Sequence, residues 1–91
     1  MIIIETLIIE LREDKLNYYL NGGCYIFANK LKGKIGGEIK YLLDEYHFIL
    51  KKDDKLYDAF GNVTKKYRNS RIISEEDALK RKKIIKSIKI N

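Results

Sequence analysis

The stretch NGGCYIFANKLKGKIGGEIKYLLDEYHFILKKDDKLYDAFGNV, residues 21–63, decides the reading of the fold. It opens on Asn21-Gly22-Gly23, which breaks any preceding pattern. Cys24, Phe27, Ala28, Leu31 and Ile35 then recur at helical spacing, with Lys30, Lys32 and Lys34 elsewhere on the cylinder. This spacing predicts a helix that opens close to Cys24 and ends near Gly33, a residue suited to a left-handed C-terminal cap. Gly36-Gly37 makes a further turn. Three short strands are expected beyond it, at residues 38–43, 46–52 and 55–60, separated by Asp44-Glu45 and by Asp53-Asp54.

Asp53-Asp54 fits a two-residue hairpin turn. Lys52 then pairs with Lys55, Ile49 with Asp58, and His47 with Phe60, so His47 and Asp58 lie on one face, a diagonal step apart. A three-residue loop would send Asp58 to the opposite face. The same register gathers Tyr46, Phe48, Leu50 and Tyr57 on the other face, which needs a cover of its own.

Working outward, Ile4, Leu7, Ile8 and Leu11 form the stripe of an amphipathic helix over residues 4–12, although Ile2-Ile3-Ile4 is also strand-like. Residues 13–20 read as a connection or a short helical turn. Residues 62–71 read as a polar loop. Ser74 to Asp77 matches a capping box and opens a C-terminal helix over about residues 74–90, apolar at Ile84, Ile85 and Ile88 and basic from Lys80 to Lys83. The expected class is α+β: a Cys-bearing helix on a three-stranded antiparallel sheet, flanked by an N-terminal helix and a basic C-terminal one. The 91 residues suit a single domain.

A 45% hydrophobic, 35% charged chain is globular in composition. Its apolar runs fall far short of the ~20 residues a membrane helix needs. No basic segment precedes the Ile-rich start, so no secretory signal is expected and the reading is cytoplasmic. A lone cysteine cannot form an intrachain disulfide or a multi-cysteine zinc site. With one Cys and one His, only scattered carboxylates remain as further ligands, so neither metal nor cofactor is expected. The net charge of +6 is uneven: residues 1–63 hold nine Lys/Arg against ten Asp/Glu, and residues 64–91 hold ten against three. That basic third can attract nucleic acid or an acidic protein, or it is a solvated helix face.

The chemistry-bearing residues occur in the order Cys24, His47, Asp58. A nucleophilic thiol needs a helix start and an imidazole to favour thiolate, and the imidazole needs an acceptor on its second nitrogen. Each residue also has a structural reading: Cys24 as core, His47 as a half-buried strand residue, Asp58 as a solvated carboxylate near a turn.

Gly23-Cys24 with its aromatic-rich helix, His47-Phe48 on a strand, and Tyr57-Asp58-Ala59-Phe60-Gly61 closing the next strand resemble the compact papain-like cysteine hydrolases of the NlpC-like and transglutaminase-like kind. The resemblance covers residues 21–63, and short members of this sort look common among bacteriophage and mobile-element proteins. It implies Cys24 as nucleophile, His47 as general base and then acid, and Asp58 as the orienting residue. The Cys24 N–H would hold the oxyanion, with Asn21 as a second donor by position. The implied substrate is a peptide or protein, cut or transferred at a peptide, isopeptide or amide bond. Two rivals stand beside it. One is a non-catalytic phage-encoded inhibitor of a host defence system, acting through Arg71, Lys80, Arg81, Lys82 and Lys83. The other is a direct nucleic-acid binder in which Tyr67, Arg68, Arg71 and the Lys80 to Lys83 run contact phosphates.

Overall fold

The computed structural model describes residues 3–81. It is mixed α+β, as the periodicities require. Among the described residues the sheet has five strands in the order β4-β3-β2-β1-β5, all adjacent pairs antiparallel. Its strands are β1 (Glu38–Leu42), β2 (His47–Lys52), β3 (Lys55–Asp58), β4 (Gly61–Asn62) and β5 (Ile72–Ser74). The helices are α1 (Ile4–Arg12), α2 (Leu16–Leu20), α3 (Cys24–Ile35), α4 (Thr64–Tyr67) and α5 (Glu75–Lys80).

Period-two alternation gives the sheet two apolar faces. Ile39, Tyr41, Phe48, Leu50 and Tyr57 join Ile8, Tyr19, Phe27, Ala28, Leu31 and Ala78 in the larger core. The cover that the Phe48 face needs is therefore helical, with α3 against β2 and α5 against β1. Leu42, Ile49 and Leu56 point the other way and meet Val63 and Tyr67.

The β2–β3 hairpin has the expected register, Lys52↔Lys55 through Leu50↔Tyr57. Asp53 and Asp54 both take positive φ, 50° and 63°, as a type I′ turn demands. Several element boundaries differ from expectation. Helix α3 runs past Gly33, whose Cβ position is open space, and ends at Gly36, φ 78°, whose N–H donates to Lys32 O at 2.8 Å. Ile35, packed on the core, carries the helix that extra half turn. Strand β3 stops at Asp58 rather than residue 60, because Asp58 Oδ1 accepts the Phe60 N–H at 2.8 Å and turns the chain into β4. Strand β2 starts at His47, leaving Tyr46 in the preceding turn with φ 51°.

The expected polar loop is the largest departure. Asn62 Oδ1 accepts the Thr64 N–H at 3.0 Å and starts α4, whose Tyr67 is buried. Ile72–Ser74 then adds β5 to the β1 edge and Gly61–Asn62 adds β4 to the β3 edge, widening the expected three strands to five. Ser74 caps α5 by accepting the Asp77 N–H at 3.1 Å, as the capping box implies. That helix closes at Lys80, where Arg81 turns to extended backbone, so the expected uninterrupted helix is broken there. Ile84, Ile85 and Ile88 lie outside the described residues.

Candidate active site

Cys24 is the first residue of α3, preceded by Gly23 at the N-cap. A Cβ on Gly23 would stand 2.6 Å from the Tyr18 ring, which would have to move to admit it. Gly23 also donates its N–H to Tyr18 O at 2.9 Å, so α2 holds the residue before the thiol.

The Cys24 thiol is half-buried and reaches strand β2. Its Sγ accepts the Phe48 N–H at 3.4 Å. The ladder explains why this donor is free. In a two-residue hairpin the closing pair exchanges hydrogen bonds, and alternate residues repeat the pattern. Lys52, Leu50 and then Phe48 therefore aim their N–H groups towards β3. The β2–β3 ladder ends at Leu50↔Tyr57, so Phe48 finds no strand opposite and donates to sulfur.

His47 and Asp58 project from the same face, as the hairpin register requires. His47 Nε2 and Asp58 Oδ2 are 2.8 Å apart, and both side chains are nearly inaccessible, 8% and 4% exposed. The other carboxylate oxygen holds the Phe60 N–H, so Asp58 is anchored at both ends. Arg12 braces this turn from α1, its Nη1 donating to Ala59 O at 3.0 Å. With Nε2 occupied by Asp58, Nδ1 is the imidazole nitrogen left to the thiol.

The electrostatics favour a charged pair. Burial pushes the Cys24 thiol up, but the His47 hydrogen bond and charge and the Phe48 and Tyr25 N–H groups outweigh it, so its pKa lies below the ordinary value. Burial pushes His47 down, but Asp58 and the thiol outweigh it, and its pKa rises to about 9. Both shifts run towards a thiolate beside an imidazolium. Tyr41, 1% exposed, has its hydroxyl without a hydrogen-bond partner among the described residues. Burial first, and then the charge on Cys24, raise the Tyr41 pKa.

The remaining expected site residues make other contacts or are exposed. Asn21 caps α2, and its Nδ2 donates to Asn17 O at 2.8 Å. Arg71 is bound to Asp44 through Nε at 3.1 Å and Nη2 at 2.7 Å. Lys80 pairs with Glu76 at 3.2 Å, one helical turn away. Arg81 is exposed, and Lys82 and Lys83 lie outside the described residues. Tyr67 does not present itself for a phosphate contact: it is 7% exposed, with its ring 6.0 Å from that of His47.

Sequence reasoning missed the cleft beside the pair. It has a volume of about 240 Å³ and is lined by His47 and Asp58 together with Leu20, Tyr46, Phe60 and Lys66, among others. Its apolar members are separated in sequence and converge through the turns before β2 and after β3. Among the described residues no group of three or more His, Cys, Asp or Glu could hold a metal ion, and no helix is long and apolar enough to cross a membrane. No family model, curated protein or solved structure matches this chain.

Proposed function

We propose that this protein is a papain-like cysteine hydrolase or acyltransferase acting on a peptide, isopeptide or amide bond. The buried 2.8 Å contact between His47 Nε2 and Asp58 Oδ2 carries the reading. A histidine whose second nitrogen is fixed by a carboxylate has one tautomer and one free function, proton exchange at Nδ1. The Cys24 thiolate attacks the carbonyl carbon, and the electron pair moves onto oxygen. The imidazolium protonates the leaving amine as the C–N bond breaks, leaving an acyl-thioester. Water or an amine then attacks that thioester, giving its proton to the neutral imidazole while the C–S bond breaks and the thiolate returns.

Two measurements test this. Iodoacetamide should alkylate Cys24 rapidly at pH 6–7, where an ordinary thiol is slow. Cys24→Ala should abolish turnover of an acyl substrate in a protein whose circular dichroism is unchanged. Alkylation no faster than that of free cysteine at pH 6–7, or a fully active Cys24→Ala protein, would overturn the proposal. The rival reading through the basic C-terminal third has less support. Within the described part of that surface, Arg71 pairs with Asp44 and Lys80 with Glu76.

A further inference from the structure

The cleft beside the His47–Asp58 pair touches the imidazole but not the thiol: Cys24 is not among its lining residues. In acyl transfer these two sides have different jobs. The thiol holds the acyl part, and the imidazole hands its proton to the part that leaves. We infer that this cleft is a subsite for the leaving-group side of the substrate, selecting an amine that carries an aromatic or large aliphatic side chain. The inference rests on the acyl-transfer reading above.

Size, lining and backbone argue for that occupant. A cleft of about 240 Å³ lies below the roughly 300–1,000 Å³ of sites that engulf a whole small molecule, so it suits one side chain of a longer substrate. Tyr46 and Phe60 border it with 75% and 65% of their surface exposed. Aromatic surface of that extent beside a catalytic pair is what a recognition site uses. Leu20 adds an aliphatic wall, while Glu45 and Lys66 bring opposite charges to the rim, so neither sign of substrate charge is favoured. Tyr46 also holds a φ of 51°, a conformation that bulky side chains rarely adopt. Glycine or asparagine would occupy that turn position with less strain. A tyrosine there trades stability for something, and its position immediately before His47 points to substrate contact.

The subsite that holds the leaving amine must also hold an amine attacking the acyl-enzyme, since one step is the reverse of the other. The test therefore uses p-nitrophenyl acetate with phenylalaninamide or glycinamide as acceptor. The thiolate attacks the ester carbonyl and expels p-nitrophenolate, whose burst measures formation of the acetyl-thioester on Cys24. Once the thiolate charge is gone, the imidazolium releases its proton to p-nitrophenolate or solvent. The acceptor nitrogen then attacks that thioester, the C–S bond breaks, and the amine proton passes to the neutral imidazole of His47. In the wild-type protein phenylalaninamide should capture the acetyl group at least tenfold more efficiently than glycinamide, measured as the ratio of N-acetyl product to acetate. Phe60→Ser and Tyr46→Gly should each reduce that ratio severalfold, and Tyr46→Gly should also raise the melting temperature by a few degrees. A burst with equal capture of the two amines overturns the subsite while leaving the acyl-transfer reading standing. So does a tenfold preference that neither folded variant changes. No burst at all overturns both.

Discussion

Asp58→Asn separates an activated thiol from a buried one. Asp58 binds with both oxygens: Oδ2 faces His47 Nε2 and Oδ1 accepts the Phe60 N–H, each at 2.8 Å. An asparagine of the same shape keeps its oxygen on Phe60 and turns its NH2 towards Nε2. That nitrogen must then accept, which confines the ring to its neutral tautomer with the proton on Nδ1. The imidazolium loses its main support, and with it the thiolate loses its counter-charge. Burial, which already pushes the thiol up, is then opposed less. A thiol at its ordinary value of 9.0 is only about 1% ionised at pH 7, so complete ionisation raises the thiolate population at most about 100-fold. Nucleophilicity falls with pKa along a Brønsted slope of about 0.4–0.5, so roughly the square root of that gain survives in the rate. Asp58→Asn should therefore slow iodoacetamide alkylation by up to about tenfold at pH 7. The difference should vanish or reverse near pH 10, where both thiols are ionised. The assay is the second-order rate from pH 5 to 10, with folding checked by circular dichroism and urea melts. A folded variant whose profile superimposes on the wild type would refute the assignment of Asp58.

Three further outcomes follow from the same structure. His47 is raised from 6.5 to about 9, so its contribution to stability is complete below pH 6.5 and is lost as pH rises through about 9, on the order of 3 kcal/mol. Urea melts of Cys24→Ala, which removes the thiol's opposing titration and part of the support for His47, should show stability declining as pH rises above 6.5, with its midpoint below 9; a flat profile between pH 6 and 10 counts against the charged pair. Asp53→Asn with Asp54→Gly suits the two positive φ angles of the hairpin and should stabilise by about 1 kcal/mol, raising the melting temperature by about 4–8 °C. No gain would argue against the type I′ turn. Gly37→Ala combines a φ of 96° with a Cβ 2.7 Å from Lys51 O, and should destabilise by about 2–4 kcal/mol in denaturant titration.

Much of the hairpin was legible because its information is local. Asp53-Asp54 are consecutive acidic residues between apolar runs, and a two-residue turn fixes which side chains share a face. That parity alone puts Asp58 within reach of His47, as the buried pair bears out. The helix start at Cys24 was equally local, since Gly22-Gly23 end one pattern and the Phe27, Ala28, Leu31 spacing begins another. Strand β5 was not legible: Ile72–Ser74 is short and polar at one end, and only the open edge of β1, some thirty residues earlier, makes it a strand. The early end of β3 depends likewise on the Asp58 carboxylate capturing the Phe60 N–H rather than remaining solvated.

The sequence by itself determined the α+β alternation, the hairpin register and the sharing of one face by His47 and Asp58. Tertiary structure decided whether the thiol could join them. By strand parity His47 points away from the face of Phe48, and α3 covers the Phe48 face. Local pattern would keep sulfur and imidazole on opposite sides of the sheet. They interact because the β2–β3 ladder ends at Leu50↔Tyr57, leaving a gap at the first residues of β2 where Phe48 N–H holds the sulfur. Where a ladder stops depends on competition between strand pairing, the Asp58-capped turn and the Arg12 brace from α1. No window of neighbouring residues contains that balance of non-local hydrogen bonds.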